Sequence, residues 1–578
     1  MTPRTTAPGK AHYLYVVFRA VLTLVNYIGL ASLLYFFAIL SLAGVRGISH
    51  PVSITILAAG LVEILFYIAW FLPYRAYRQS PGPQPVPLTR VLRRQLYDRA
   101  LNFCHDPELF LRGWFNKAHM DDIRTENVKE WLAWALFDRE GDPADDDPEL
   151  NEYIAGFEDR GGVKIKQGTG DAESIRLSFD PVVMRHRSLL FYTGVGFLDA
   201  VTTVALMAKG FKYYRQPRSS FFTTYPFRFK TLLFPNESPY AGLSYFYRPH
   251  TSKEKRPIVL LHGVGIGLLA YIPWLASLPP DVGVLVVEFL CISSRITTPL
   301  PPTKELVGGI ATIIGNHYNK VDGSDEFVLV SHSFGSLLLS PLLQRPDVAS
   351  RVASLVIVDP LPFLIHLPDL TYNLTRRQPR LSHPNDWRMR FFATDPNFSY
   401  TFARRFCWHD FVLWTEQLQG RRTTVIMGGS DGLINADAVA SYIYYGDLKY
   451  TREDRREWCT TPGRWNGQEE LALYYLDGLD HCESILDPAG RAALAKVVTT
   501  YCERSITWTS RFAEEIKLGD VPSPTAQSPV MSEGGIGLAR TSEDVQPLAA
   551  RDTRDTLASS AVLTRYSEVS RMSRGLRG

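Results

Sequence analysis

Phe327-Val-Leu-Val-Ser-His-Ser333-Phe334-Gly335-Ser336-Leu-Leu-Leu339 decides the fold. Its apolar opening predicts a buried strand, its small residues a tight turn, and the leucines beyond them the start of a helix. A serine on such a turn holds its hydroxyl out past the strand end, with the positive end of a helix dipole beneath it. That is a nucleophile's position, and Ser333 occupies it. The letters alone are weak, because a small residue, a serine and a glycine at these offsets arise by chance about once in a chain this long. Gly428-Gly429-Ser430-Asp431-Gly432 is a second match. The residue after the nucleophile must offer its N–H to a developing oxyanion, however, and a carboxylate at Asp431 would oppose that charge. Ser430 is therefore set aside, whereas Phe334 raises no such objection.

A serine hydroxyl is a weak nucleophile until a base takes its proton, so Ser333 requires a histidine, an acid to orient it, and N–H donors for the oxyanion. Upstream, Pro257-Ile-Val-Leu-Leu-His262-Gly263-Val264-Gly265 reads as a buried strand entering a glycine turn. Downstream, Thr423-Thr-Val-Ile-Met427 runs into Gly428-Gly429-Ser430-Asp431. This puts the Asp431 carboxylate at the carboxyl end of a strand, the edge where catalytic groups gather in open α/β sheets. Leu471-Ala-Leu-Tyr-Tyr-Leu476 is a further strand, and His481 follows on the loop beyond it.

Together these segments resemble the α/β-hydrolase superfamily, its lipases and esterases in particular, over about half of the chain. Ser331 stands where the family's G-x-S-x-G elbow has its first glycine, which keeps the position small but adds a hydroxyl. The resemblance implies a mostly parallel central sheet with a helical cap. It also implies Ser333 as nucleophile, Asp431 as orienting acid and His481 as base, with the N–H groups of Val264 and Phe334 as oxyanion donors. Two other acids compete with Asp431. Asp359 closes the strand Val352-Ala-Ser-Leu-Val-Ile-Val358, where some relatives carry the triad acid, although Asp359-Pro360 also reads as a strand-ending turn. Asp480 adjoins His481, too near in sequence to face it well. His262 precedes Ser333 in the chain and is expected to shape the oxyanion turn. His332 is expected to pack or to line the substrate site, and His366, His383 and His409 to be loop histidines. No His, Cys or Asp cluster has zinc-like spacing, so no metal or other cofactor is expected. Cys482 lacks the strand-to-helix setting of a nucleophile.

The 578 residues carry a net charge of +3, too small to support a nucleic-acid partner. Six scattered cysteines argue against a disulfide-built secreted protein. Residues 20–45 contain no charge and 52–73 only Glu63. Each run is long enough to cross hydrocarbon, and together they predict a retained transmembrane helical hairpin. Arg4, Lys10 and Arg19 precede it, Arg75, Arg78, Arg90, Arg93 and Arg94 follow it, and only Arg46 lies between. That asymmetry places both ends, and the hydrolase with them, in the cytosol on an endomembrane such as the endoplasmic reticulum. Sequons at Asn236, Asn373 and Asn397 would be usable on the luminal side. Residues 189–211, apolar apart from Asp199 and Lys209, are expected to form a helix buried against the hydrolase.

The chain thus divides into a membrane anchor at 1–80 and a proline-rich linker with a mainly helical accessory region at 81–226. An α/β-hydrolase domain follows at 227–517, with its cap at about 361–420, and a tail at 518–578 has the composition of disorder. The cap mixes aromatic residues with Arg376, Arg377, Arg380, Arg388, Arg390, Arg404 and Arg405, which suit either an anionic lipid head group or a solvated face. The expected activity is that of a membrane-anchored serine hydrolase cleaving a lipid or other acyl ester through an acyl-enzyme. This substrate preference rests on the anchor, the cap and analogy of fold. A thioesterase or acyltransferase on the same triad, or a non-catalytic hydrolase-like scaffold, are the alternatives.

Overall fold

The computed structural model describes residues 16, 19–82, 86–140, 147–318, 325–380, 384–461, 463–465 and 470–504. Arg4, Lys10, His383 and the tail from 518 lie outside the described residues. The strands are β1 (Lys212–Tyr214), β2 (Ser244–Arg248), β3 (Ile258–Leu261), β4 (Val284–Glu288), β5 (Phe327–His332), β6 (Val352–Val358), β7 (Arg422–Gly428), β8 (Arg464–Trp465) and β9 (Leu471–Leu476). They form one sheet in the order β1-β2-β4-β3-β5-β6-β7-β9-β8. The run from β4 through β3, β5, β6 and β7 to β9 is parallel, with antiparallel strands at both edges. This is the α/β-hydrolase fold expected from the sequence.

The central strands are unbroken runs of Val, Ile and Leu because both faces of a parallel sheet are covered. Ile258, Leu260, Val328 and Val330 belong to one buried cluster, closed by the terminal helix Pro488–Cys502. Their alternates Val259, Leu261 and Leu329 belong to the other, with the helix Thr303–His317. This second cluster continues through Phe398, Phe402 and Trp414 of the segment between β6 and β7 to Trp114, Trp131 and Trp134. These tryptophans of the region 81–226 are therefore packed into the same core as the sheet, and the sheet itself starts at Lys212, upstream of the boundary expected at 227. Sequence patterning missed this because β1 has only three residues.

Helices Ile28–Ile48 and Pro51–Tyr77 are long and apolar enough to cross a membrane, each spanning about 30 Å or more at roughly 1.5 Å per residue. They cross closely where small residues meet: a Cβ on Gly60 would fall 2.2 Å from Ser32 Cβ. The Tyr35 hydroxyl lies 2.8 Å from Ser53 Oγ across the same pair. Pro73 has no N–H to donate, and the preceding turn, Tyr67–Phe71, widens into a π-type turn. Glu63 has a structural role: its two carboxylate oxygens accept the N–H groups of Leu189 at 2.9 Å and Leu190 at 3.1 Å. It thereby supplies acceptors to the N-terminus of the helix Leu189–Ala208.

That third helix is also long and apolar enough to span, and only one side of it is buried against the domain, short of the buried helix expected from the sequence. Thr202, Thr203 and Leu206 are buried, while Phe197 and Val204 are each 68% exposed. Asp199 faces the protein, paired with Arg228, Lys230 and Arg295 at 3.1 to 3.3 Å. Removing a buried acceptor strands its donors at a cost of about 1 to 3 kcal/mol. Glu63→Ala should therefore lower the melting temperature of the detergent-solubilised protein more than Glu63→Gln, which keeps one acceptor; equal, unchanged melting temperatures would contradict the capping role.

Candidate active site

β5 ends at His332, and the chain turns at once into the short helical segment Ser333–Leu338. Ser333 sits at that corner with φ of 51°, a left-handed conformation that side chains rarely adopt. The turn thrusts its hydroxyl toward the loop after β9, where His481 Nε2 lies 2.8 Å from Ser333 Oγ. His481 Nδ1 lies 2.6 Å from Asp431 Oδ2, on the loop after β7. Asp431 is fixed in turn, its Oδ1 accepting the N–H groups of Leu433 at 2.7 Å and Ile434 at 3.2 Å. The structure thus brings together the three side chains singled out from the sequence, with those of His481 and Asp431 almost wholly buried.

Asp359 and Asp480 take other parts. Asp359 is buried, and accepts from Gly428 N–H at 3.2 Å, Ser484 Oγ at 2.7 Å and Cys482 N–H at 3.0 Å, so it ties the His481 loop to β7. Asp480 accepts the N–H groups of Gly432 at 2.7 Å and His481 at 2.6 Å, joining the Asp431 and His481 loops. Cap helix Pro384–Ala393 adds a further clamp: Arg388 donates to the His481 carbonyl at 3.1 Å, and Asn385 to Glu483 at 2.9 Å.

Neither Val264 N–H nor Phe334 N–H has an acceptor among the described residues. Gly263 beside them is required by crowding, since a Cβ there would lie 2.7 Å from His332 Nδ1 and 2.8 Å from Ser333 Cβ. His262 shapes this turn: Nδ1 donates to Gly263 O at 2.8 Å and Nε2 accepts Phe289 N–H at 2.9 Å. Burial pushes its pKa down to about 4, which keeps the ring neutral for both bonds. Sequence reasoning missed Tyr271. Its hydroxyl accepts Gly263 N–H at 2.8 Å and lies 2.6 Å from His332 Nδ1, while His332 Nε2 is 3.5 Å from Asp359. A hydrogen-bonded link from His332 through Tyr271 to Gly263 therefore runs beside the Ser333 array to the oxyanion turn, with Asp359 near His332 but making no hydrogen bond to its Nε2. The only hint in the sequence is a tyrosine in the helical pattern after Gly265. Ser331, in place of the family glycine, has a buried hydroxyl without a partner.

Burial opposes charge on His481, but the Asp431 carboxylate, aided by the Cys482 thiol, outweighs it and holds the imidazole well above its usual range. Burial would likewise raise the Cys482 thiol, yet the neighbouring His481 and His332 bring it down to about 6. His366 is a buried histidine, pushed down to about 4 by burial, with no hydrogen-bond partner for either side-chain nitrogen in the described structure. His409 is buried as well, its Nε2 lying 2.8 Å from Cys407 Sγ and 3.4 Å from Asp138 Oδ2. These three residues are the metal-capable donor group that sequence spacing had hidden. Their contacts with one another already satisfy the imidazole.

Proton removal from Ser333 needs a neutral imidazole, so reactivity toward a fluorophosphonate should fall as pH drops through the raised His481 value, with a half-point above 6.5, the ordinary histidine value. Asp431→Asn should move that limb to lower pH and slow labelling by roughly 10³- to 10⁴-fold; an unmoved limb would contradict the assigned pairing. Tyr271→Phe leaves Gly263 N–H unpaired and should reduce ester turnover about ten-fold or more through the oxyanion turn, with KM little changed.

Residues 258–497 match a family model described as the alpha/beta hydrolase family. No curated protein matches the chain. Among solved structures, a bacterial membrane phospholipase A is 13% identical, covering 54% of this chain and 92% of its own, with a TM-score of 0.34. The 2-hydroxy-6-oxo-6-phenylhexa-2,4-dienoate hydrolase of Rhodococcus sp. strain RHA1 is 14% identical over 45% of this chain and 94% of its own, at a TM-score of 0.29. A thermophilic esterase of Thermogutta terrifontis is 14% identical over 45% and 94%, at 0.31. Sheet order and family match agree on one segment: residues 258–497 are similar to the alpha/beta hydrolase family and carry its strand order.

Proposed function

We propose that this protein is a membrane-anchored serine hydrolase that cleaves a lipid or other acyl ester. The reading is carried by one observation: Ser333, His481 and Asp431 form a continuous hydrogen-bonded chain at 2.8 and 2.6 Å beside two N–H groups without acceptors among the described residues. In this mechanism His481 takes the Ser333 proton as Oγ attacks the ester carbonyl, and the Val264 and Phe334 N–H groups receive the oxyanion. Asp431 stabilises the imidazolium, which then protonates the departing alcohol. Water, activated by the same imidazole, attacks the acyl-enzyme and releases the acid and free Ser333.

The membrane assignment draws support from the placement of the hairpin. Leu22, Val25 and Phe66 pack in the same apolar cluster as Ile266, which follows the oxyanion turn. The outer face of the Leu189–Ala208 helix and Phe222, Phe229 and Leu233 nearby are exposed and apolar, suited to a lipid surface. The distribution of arginines about the hairpin favours a cytosolic domain on an endomembrane. Asn397 is 3% exposed and bonded through its side chain to Tyr74 and Arg295, so a glycan there is incompatible with the folded chain.

Incubated with a mixed lipid extract, the full-length protein should release fatty acids or another acyl acid, and Ser333→Ala should abolish release while preserving the melting temperature. Release unaffected by Ser333→Ala, or absence of a fluorophosphonate adduct on Ser333, would contradict the catalytic reading. Glycosidase treatment of the protein from eukaryotic membranes should leave its gel mobility unchanged; a shift would place the domain in the lumen.

A further inference from the structure

A cavity of about 820 Å³ lies between the hairpin and the cap, outside the Ser333 array. One wall is apolar, from Leu30, Leu33, Ile64 and Ile68 of the hairpin, and Trp387 and Phe391 of the cap helix close the other side. Arg75, Arg185, Arg187 and Arg390 also line it. Glu63 is the only carboxylate among the lining residues, and both of its oxygens are spent on Leu189 and Leu190. Arg187 is 3% exposed and spends its terminal nitrogens on carbonyls and Thr394. The Nε atoms of Arg187 and Arg390 and Nδ1 of His186 are buried without partners, and Arg75 and Arg185 are in no ion pair among the described residues. Burial and the charges of Arg185 and Arg376 hold the Arg390 guanidinium below its usual range. Four arginines are therefore crowded here against one lining carboxylate, Glu63, which is turned to the Leu189 and Leu190 N–H groups, with Asp395 beside Arg187 as a further acid. An anion with several oxygens would bridge the arginines through charge-assisted bonds.

Most of the other cap arginines are already occupied, so neither expectation for the arginine run holds as a whole; Arg390 itself has Nη1 on the Leu374 and Thr375 carbonyls at 3.4 and 3.3 Å, and Arg405 Nε is buried without a partner among the described residues. Arg376 pairs with Asp180, Arg377 and Arg380 with Asp386, and Arg404 with backbone carbonyls. Thr23 and Asn26 before the first hairpin helix and Arg75 near the end of the second line the cavity, and the wide turn Tyr67–Phe71 forms part of its wall. An anionic surface with acyl chains running alongside the hairpin matches that arrangement.

We propose that this cavity binds a lipid with a phosphate-bearing anionic head group, held by Arg75, Arg185 and Arg390 with its acyl chains against the hairpin, and delivers it to Ser333. The inference names the substrate class and rests on the catalytic reading above. The helix Pro384–Ala393 connects the two places: Trp387, Arg390 and Phe391 line the cavity, while Arg388 holds the His481 carbonyl.

The test uses full-length protein in phosphatidylcholine nanodiscs with photoactivatable phosphatidic acid or phosphatidylcholine probes, and peptide mapping of the adducts. The phosphatidic acid probe should crosslink within 23–33 or 387–394 at least about ten-fold more than the phosphatidylcholine probe, since a charge-assisted contact contributes about that factor. Arg185→Ala/Arg390→Ala should reduce its yield by a similar factor, and Arg185→Lys/Arg390→Lys should retain most of it. Fluorophosphonate labelling of Ser333 checks that each variant is folded. Equal crosslinking by both probes, yield unchanged in the alanine pair, or full displacement by inorganic phosphate would overturn the lipid site. Retained crosslinking without any Ser333 labelling would contradict the catalytic reading and leave this site standing.

Discussion

The His481 imidazole is held at both nitrogens with its side chain almost wholly buried, and the geometry of three loops follows from that requirement. An imidazole so placed must have its tautomer and orientation fixed before a substrate arrives, because reorganising it during reaction would cost the transition state. Asp431 fixes it from β7, and Asp480 and Asp359 fix the backbone on either side. The cost shows in the backbone: Ser333, Asp359 and Cys482 have φ of 51°, 45° and 69°, all left-handed and none of them glycine. Such conformations persist only where surrounding bonds over-determine them. Asp359 receives the N–H of Cys482, so two of the strained residues hold each other in place.

Much of this was legible in the sequence because strand ends are legible. Unbroken apolar runs mark buried parallel strands, and Ser333, Asp431 and His481 each follow one of them. Asp431 could be preferred as the acid facing His481, since it lies beyond β7 and Asp480 is too close to its histidine to turn toward it. Asp359, beyond β6, competed on the same ground until the fold showed it bonded to Gly428, Cys482 and Ser484. Interactions between distant segments were not legible. Glu63 looked like a misfit in a membrane helix until the N-terminus of the Leu189–Ala208 helix was seen against it. Asp138 meets Cys407 and His409 only through the fold. Tyr271 carries no motif, since its role depends on where Gly263 and His332 come to rest. The accessory helices are amphipathic by themselves, and nothing in their period tells whether their partner is each other or the sheet.

The membrane hairpin and the hydrolase are parts of one design. Glu63 ties the second hairpin helix to the Leu189–Ala208 helix, whose Asp199 is tied to Arg228 and Arg295 in the domain. Phe66 packs in a cluster that includes Ile266 and Phe391, and the cap helix bearing Phe391 also holds the His481 loop. On the proposed membrane reading, a rigid connection of this kind would set Ser333 at a fixed height relative to the bilayer, which a flexible linker would not do.

The most direct measurement of the central claim is an experimental structure of the full-length protein after reaction with a fluorophosphonate. The account requires a covalent bond at Ser333 Oγ, the phosphonyl oxygen about 2.7 to 3.1 Å from the N–H groups of both Val264 and Phe334, and His481 still bonded to Asp431. An adduct elsewhere, or a phosphonyl oxygen turned away from both N–H groups with His481 swung from Asp431, would contradict it.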